Sequence, residues 1–256
     1  MEFDALLLIL LFATGLVAGF VDSIAGGGGL IALPVLLSTG MPPLMALGTN
    51  KLQGSFGTLA ASVYFVRKKL VNLRQMRLMI LMTFLGAMAG TLLVQQIDAS
   101  VLALIMPGLL VLMALYFMFS NKVQDGDTER RLGPLTFALS CTTAIGFYDG
   151  FFGPGTGSFF VIAFVALAGY SLPKATANTK ILNFTSNIAS LIFFAVGGQV
   201  VWMIGLLMAC GQIIGGFLGA RVVVNKGTGW IRPLIVTMTL GMSAKLIADQ
   251  FGFSLV

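Results

Sequence analysis

Two aspartates and two lysines stand inside or beside apolar stretches, and they recur at a near-constant spacing. The chain reads GFVDSIAGGGG around position 20 and GFYDGFFGPGTG around position 147, so Asp22 matches Asp149 at a separation of 127 residues. Gly26 and Gly28 match Gly153 and Gly155 at the same separation. Further on, GTNK ends at Lys51 and ANTK at Lys180, 129 residues apart, which requires a two-residue insertion between the blocks. An unpaired ammonium in hydrocarbon is expensive, so each lysine needs an anionic partner. Two partners are available: the aspartate of the same half, or a substrate anion, with Asn50, Asn178 and Thr179 as neighbouring hydrogen-bond donors. The aspartates are proton carriers if their helices break within the membrane, and ordinary caps of the next helix if those helices end at its surface.

The glycines beside the aspartates open two short apolar segments, AGGGGLIALPVLLSTG and PGTGSFFVIAFVALAGY. Short segments interrupted by Gly or Pro at matching places of two halves point to a midplane site. A helix that starts there directs its free N–H groups and the positive end of its dipole at the protein centre, which suits an anion. Gly26, Gly27, Gly28 and Gly29 in one half, and Gly153, Gly155 and Thr156 in the other, are therefore candidate substrate-binding positions, with Asn50, Lys51, Asn178, Thr179 and Lys180. Gln53, Asn183 and Asn187 add polar groups along the same two segments. Gly86/Gly90 and Gly215/Gly219, at GxxxG spacing in uninterrupted runs, are read as helix-packing positions. The chain has no His, and Cys141 and Cys210 are its only cysteines, so zinc and haem constellations are excluded and neither metal nor cofactor is expected.

The elements that must hold these residues follow from composition. Of 256 residues 57% are hydrophobic and only 9% charged, where soluble domains carry about a quarter, and mean hydropathy is +0.98. Several apolar runs reach the roughly 20 residues needed to cross a bilayer core. The expected fold is all-α, a polytopic helix bundle in membrane lipid. The run Phe3 to Val21 lacks a basic leader and has a mid-chain counterpart, so it is read as the first helix rather than a signal peptide.

Each half divides into five segments: about 3–22, 25–40, 44–66, 76–95 and 101–119, then 134–152, 154–170, 174–197, 199–221 and 230–251. The first repeat is 1–119, a charged linker occupies 120–133, and the second repeat is 134–256. If all ten segments cross, with the N-terminus outside, twelve of the fifteen Lys and Arg residues fall in interior loops and none in exterior ones, as retention of positive charge predicts. That placement makes the net charge of +6 a topological signal rather than a nucleic-acid footprint. The linker is then cytoplasmic and both termini periplasmic. Five crossings per half is an odd number, so the repeats are expected to be inverted.

A GxxD block followed by glycines in both halves, with TNK after one and NTK after the other, resembles the TauE/SafE sulfite exporter family, and within it the bacterial subgroup labelled probable membrane transporter protein. The resemblance covers nearly the whole chain. It implies an inner-membrane carrier without ATP hydrolysis that moves sulfite, sulfonates such as sulfoacetate, or related sulfur-containing anions. The residues themselves imply a small anion at a midplane site, with a proton or a sodium ion as coupling partner. An anion channel is the rival, separated from a carrier by saturation and exchange. No GxxxxGK[ST] phosphate loop occurs, which leaves ATP-driven pumping by this chain without its cradle. An aspartyl-protease dyad of Asp22 and Asp149 fits poorly beside two lysines, because these favour two ionised carboxylates over one shared proton.

Overall fold

A computed structural model of the chain describes residues 5–119 and 129–226. Among these every regular element is helical: α1 (Ala5–Ala25), α2 (Gly28–Ser38), α3 (Pro43–Arg67), α4 (Leu73–Val94) and α5 (Ala99–Phe119) in the first half. The second half has α6 (Pro134–Phe137), which runs through a π-helical turn (Ala138–Thr142) into α7 (Thr143–Phe151), then α8 (Thr156–Ala166), α9 (Leu172–Val196) and α10 (Trp202–Lys226). The expected segment 230–251 and most of the linker lie outside the described residues.

Five helices are long and apolar enough to span: Ala5–Ala25, Leu73–Val94, Ala99–Tyr116, Leu172–Val196 and Trp202–Val223. Helix α3 has the length, at 25 residues, but a lower mean hydropathy because it carries Asn50, Lys51 and Gln53. Helices α2 and α8 have 11 residues each, or about 16 Å at 1.5 Å per residue. Neither crosses a core of about 30 Å alone, so the picture of ten full crossings is corrected. Each short helix instead returns from a buried break, forming a hairpin with the helix before it. The apolar side chains left outside, such as Leu6, Leu104 and Met203, each more than 60% exposed, suit a lipid surround.

The packing is exchanged between the halves. Helix α1 lies mainly on α10, and α7 mainly on α4. The GxxxG glycines make these seams: a Cβ at Gly86 would sit 2.3 Å from the Thr143 carbonyl oxygen, and one at Gly215 would sit 2.0 Å from that of Leu16. Gly90 and Gly219 press on the Phe147 and Phe20 carbonyls in the same way. Only backbone against backbone allows this approach. At the centre α3 crosses α9 antiparallel, with Gly48 near Phe194 and Gly54 near Asn187.

Candidate functional site

The site forms where α1 and α7 break. Helix α1 stops at Ala25 and α2 begins at Gly28; α7 stops at Phe151 and α8 begins at Thr156. Gly26 and Gly153 take φ of +72° and +98°, a region that side-chain-bearing residues seldom enter. The two breaks touch. A Cβ on Gly26 would lie 2.4 Å from the Gly157 Cα, and the Ser158 hydroxyl donates to the Ala25 carbonyl at 2.5 Å. The hairpin tips therefore meet inside the protein, which places both aspartates in its interior rather than at a membrane surface.

Each lysine finds its aspartate across the halves, not within its own. Lys51 Nζ lies 2.9 Å from Asp149 Oδ1 and donates to the Asp149 carbonyl at 2.5 Å. Lys180 Nζ lies 3.0 Å from Asp22 Oδ2 and also donates to the Asp22 carbonyl. The expectation of pairing within a half fails although α3 touches α1 and α9 touches α7, because the two breaks meet at Gly26 and Gly157 and bring the other half's aspartate within reach. Each lysine thus meets the opposite tip. Both ammonium groups are almost fully buried, with side chains 2% and 1% exposed. Since each carboxylate is engaged by a lysine of its own, the two do not form a proton-sharing dyad.

Between the tips lies a cavity of about 30 Å³, room for roughly two waters. Of the residues proposed from sequence, Asp22, Gly26, Gly29, Asn50 and Lys51 line it from the first half, and Asp149, Gly153 and Thr156 from the second. Gly153 is required there, since a Cβ would stand 2.9 Å from Lys51 Nζ. Gly27 and Gly155 precede the first residues of α2 and α8, and Gly28 lets the Asp22 Cβ pack at the helix break. Lys180 reaches Asp22 from outside the cavity wall. The hydroxyl of Thr179 is buried with no hydrogen-bond partner. Asn178 faces a second cavity toward the basic end.

Sequence reasoning left out Gly54, Thr58 and Gln212, which complete the wall with Gly157, Asn183 and Asn187. Gln212 was detectable as a lone amide in an apolar span. It is 2% exposed, and its side chain occupies room left by Gly57 and Gly19. Asp149 Oδ2, Asn183 Oδ1 and Gln212 Oε1 accept no hydrogen bond, so the wall carries unmet acceptor capacity.

Residues 11–246 match the family described as Sulfite exporter TauE/SafE. The chain belongs to the TauE/SafE family. It is 51% identical over 247 residues to a probable membrane transporter protein of Haemophilus influenzae, covering 96% of this chain and 97% of that one. It is 50% identical to the probable membrane transporter protein YfcA of Escherichia coli, with 96% and 92% covered. A more distant relative, the probable membrane transporter protein YunE of Bacillus subtilis, is 26% identical over 97% of both chains. No solved structure matches. As a TauE/SafE protein with several spanning helices, the chain is a multi-pass membrane protein of a transporter family rather than of an enzyme family.

Proposed function

We propose that this TauE/SafE protein is a secondary carrier of a small anion, sulfite or a sulfonate by its family, which binds between two inverted repeats and moves by alternating access. The observation that carries the proposal is the crossed pair of buried salt bridges at the broken helices. Two lysines and two aspartates sum to zero. An anion entering alone would leave one uncompensated charge in a low-dielectric interior, at a cost of several kcal/mol. It must therefore displace a carboxylate from its lysine while that carboxylate takes a proton or a sodium ion. Free acceptor atoms on Asp149, Asn183 and Gln212 suit such a cation.

In this mechanism Lys51 and Lys180 hold the anion, Asn50, Thr156 and the glycine turns shape its seat, and Asp22 and Asp149 carry the coupling charge. Inversion of the repeats is supported by the antiparallel α3–α9 crossing and by the exchange of α1–α10 for α4–α7. The contact of the two tips around a cavity of about 30 Å³ favours a carrier over an open pore. The basic end, with Arg67, Lys68, Lys69 and Lys174, is read as cytoplasmic and the termini as periplasmic, in the inner membrane. A cysteine at position 98 should then be labelled from outside and one at position 126 from inside; the reverse pattern overturns the orientation.

Flux of radiolabelled sulfite and sulfoacetate into liposomes, with and without a pH gradient, tests the function. Saturable, gradient-driven flux that Asp22→Asn or Asp149→Asn abolishes is the expected result. Absence of flux for both anions, from protein shown to be folded, removes the sulfur-anion assignment.

A further inference from the structure

A second cavity, of about 480 Å³, opens at the basic end between the α3–α4 turn and the start of α9. Lys69, Asn72, Gln75, Tyr170, Lys174 and Asn178 supply its polar wall, and no acidic residue lines it. Lys174 Nζ stands 4.2 Å above the Tyr170 ring, which holds that cation at the cavity wall. The floor reaches Asn178, only 3% exposed, two residues before Lys180 on α9.

Lys69 is the telling residue. Its φ is +58°, the only positive value among the described non-glycine residues. The 129-residue spacing matches it to Gly198, which ends α9 with φ +68°. The two turns close alike, Leu70 N–H to the Phe65 carbonyl and Gln199 N–H to the Phe194 carbonyl. Glycine is the unstrained choice for this helix-ending position. One end uses it, while the basic end tolerates a lysine in an unfavourable conformation and so gains a cation at the cavity.

The two ends also differ in closure. At the glycine end the 197–201 turn lies directly on α3: a Cβ on Gly48 would meet the Gln199 carbonyl oxygen at 2.0 Å, and Thr49 accepts a hydrogen bond from Val201 N–H at 3.0 Å. The matching residues at the basic end are Ala177 and Asn178. Ala177 carries the methyl that Gly48 lacks, and a cavity lies between the turn at Lys69–Leu73 and Asn178.

We propose that the larger cavity is a capture site for a small oxyanion, which loads the central site from the basic side while the glycine end is sealed. The proposal rests on the carrier function and specifies its entry step. Volume supports it, because the outer cavity of about 480 Å³ is far roomier than the central one of about 30 Å³. A dissolved anion and the phosphate of a lipid headgroup share the recognised chemistry. The depth of the cavity, whose floor is the buried Asn178, favours the dissolved one.

The test measures binding of radiolabelled sulfite to the purified protein in phosphatidylcholine nanodiscs, with and without phosphatidylglycerol, beside flux in liposomes. Lys69→Gly with Lys174→Gln should weaken sulfite binding about tenfold, from loss of two exposed cations. Lys69→Gly alone should weaken binding while raising the thermal unfolding midpoint, a combination that a merely structural lysine would not produce. Unchanged sulfite affinity in the double variant, or no sulfite binding by the unaltered protein, overturns the capture site. A lysine effect confined to phosphatidylglycerol discs assigns the cavity to lipid and overturns it equally. Binding that depends on both lysines, in a protein without flux, keeps the site and sinks the carrier function instead.

Discussion

The Lys51–Asp149 and Lys180–Asp22 pairs occupy matched positions yet have unlike surroundings. Asp149 is 6% exposed and Asp22 13%. The Thr156 hydroxyl lies 2.8 Å from Asp149 Oδ1 and 2.6 Å from the Gly153 carbonyl oxygen, so its one proton is shared between them, whereas the residue matched to Thr156 is Gly29, which has no hydroxyl to offer Asp22. Lys51 faces the central cavity; Lys180 does not line it. One bridge is thus held by an extra donor, and the other by its lysine alone. A duplicated site has become two unequal ones, in which Asp22 is the carboxylate more easily released from its lysine.

Removing the lysines should expose this inequality most clearly. Breaking a buried pair from one side costs about 3–5 kcal/mol, because the remaining charge is left uncompensated. Lys51→Met should fall within that range and abolish flux, and Lys180→Met should fall at its lower end. Thermal unfolding in detergent ranks the two, and equal losses would remove the distinction between the bridges. Adding Asp149→Asn to Lys51→Met should restore most of the stability and none of the transport.

A smaller effect is expected where the difference originates. Thr156→Val deletes one hydrogen bond to a charged acceptor, about 1.5–3 kcal/mol, and should bring the stability cost of Asp149→Asn close to that of Asp22→Asn. A double-mutant cycle on unfolding free energies measures that coupling. Gly48→Ala should cost about 1–3 kcal/mol by overpacking. It should also expose a cysteine placed at Val201 to an impermeant thiol reagent from the side opposite the basic loops. The least disruptive change is Gly29→Thr, whose Cβ would find ordinary contacts, 3.4 Å from the Pro154 Cα and 3.5 Å from Asn50 Nδ2. It should stabilise by about 0.5–1.5 kcal/mol if the new hydroxyl reaches Asp22, and lower the turnover rate. A rate unchanged in the stabilised variant would show that release of Asp22 does not limit the cycle.

Much of this architecture is legible in the residues. The segment read as 44–66 is α3, Pro43–Arg67, and 76–95 falls on α4, Leu73–Val94, because apolar runs ending in Arg, Lys and Asn mark their own limits. The four buried charges were identifiable because such groups need partners in an apolar surround. Which partner each takes was not legible. Pairing depends on α3 crossing α9, a relation between helices more than 100 residues apart that no local pattern records. The same applies to Gln212, whose match in the first half is Thr83, so the repeat did not flag it. Gly54 and Thr58 carry no signal of their own, but the 129-residue spacing matches them to Asn183 and Asn187, so the repeat marks both as wall positions.

The exchange of α1 for α7 also sets an order of events during synthesis. Helix α10 begins at Trp202, 197 residues after α1 begins at Ala5, an interval of about 10–40 s at about 5–20 residues per second. Through that time Gly15 and Gly19 face lipid or the insertion machinery instead of α10, and Asp22 waits the 158 residues that separate it from Lys180. A nascent chain stalled before α9 would therefore hold an unpaired carboxyl and an uncovered glycine seam, features by which quality control can distinguish an unfinished protein from a finished one.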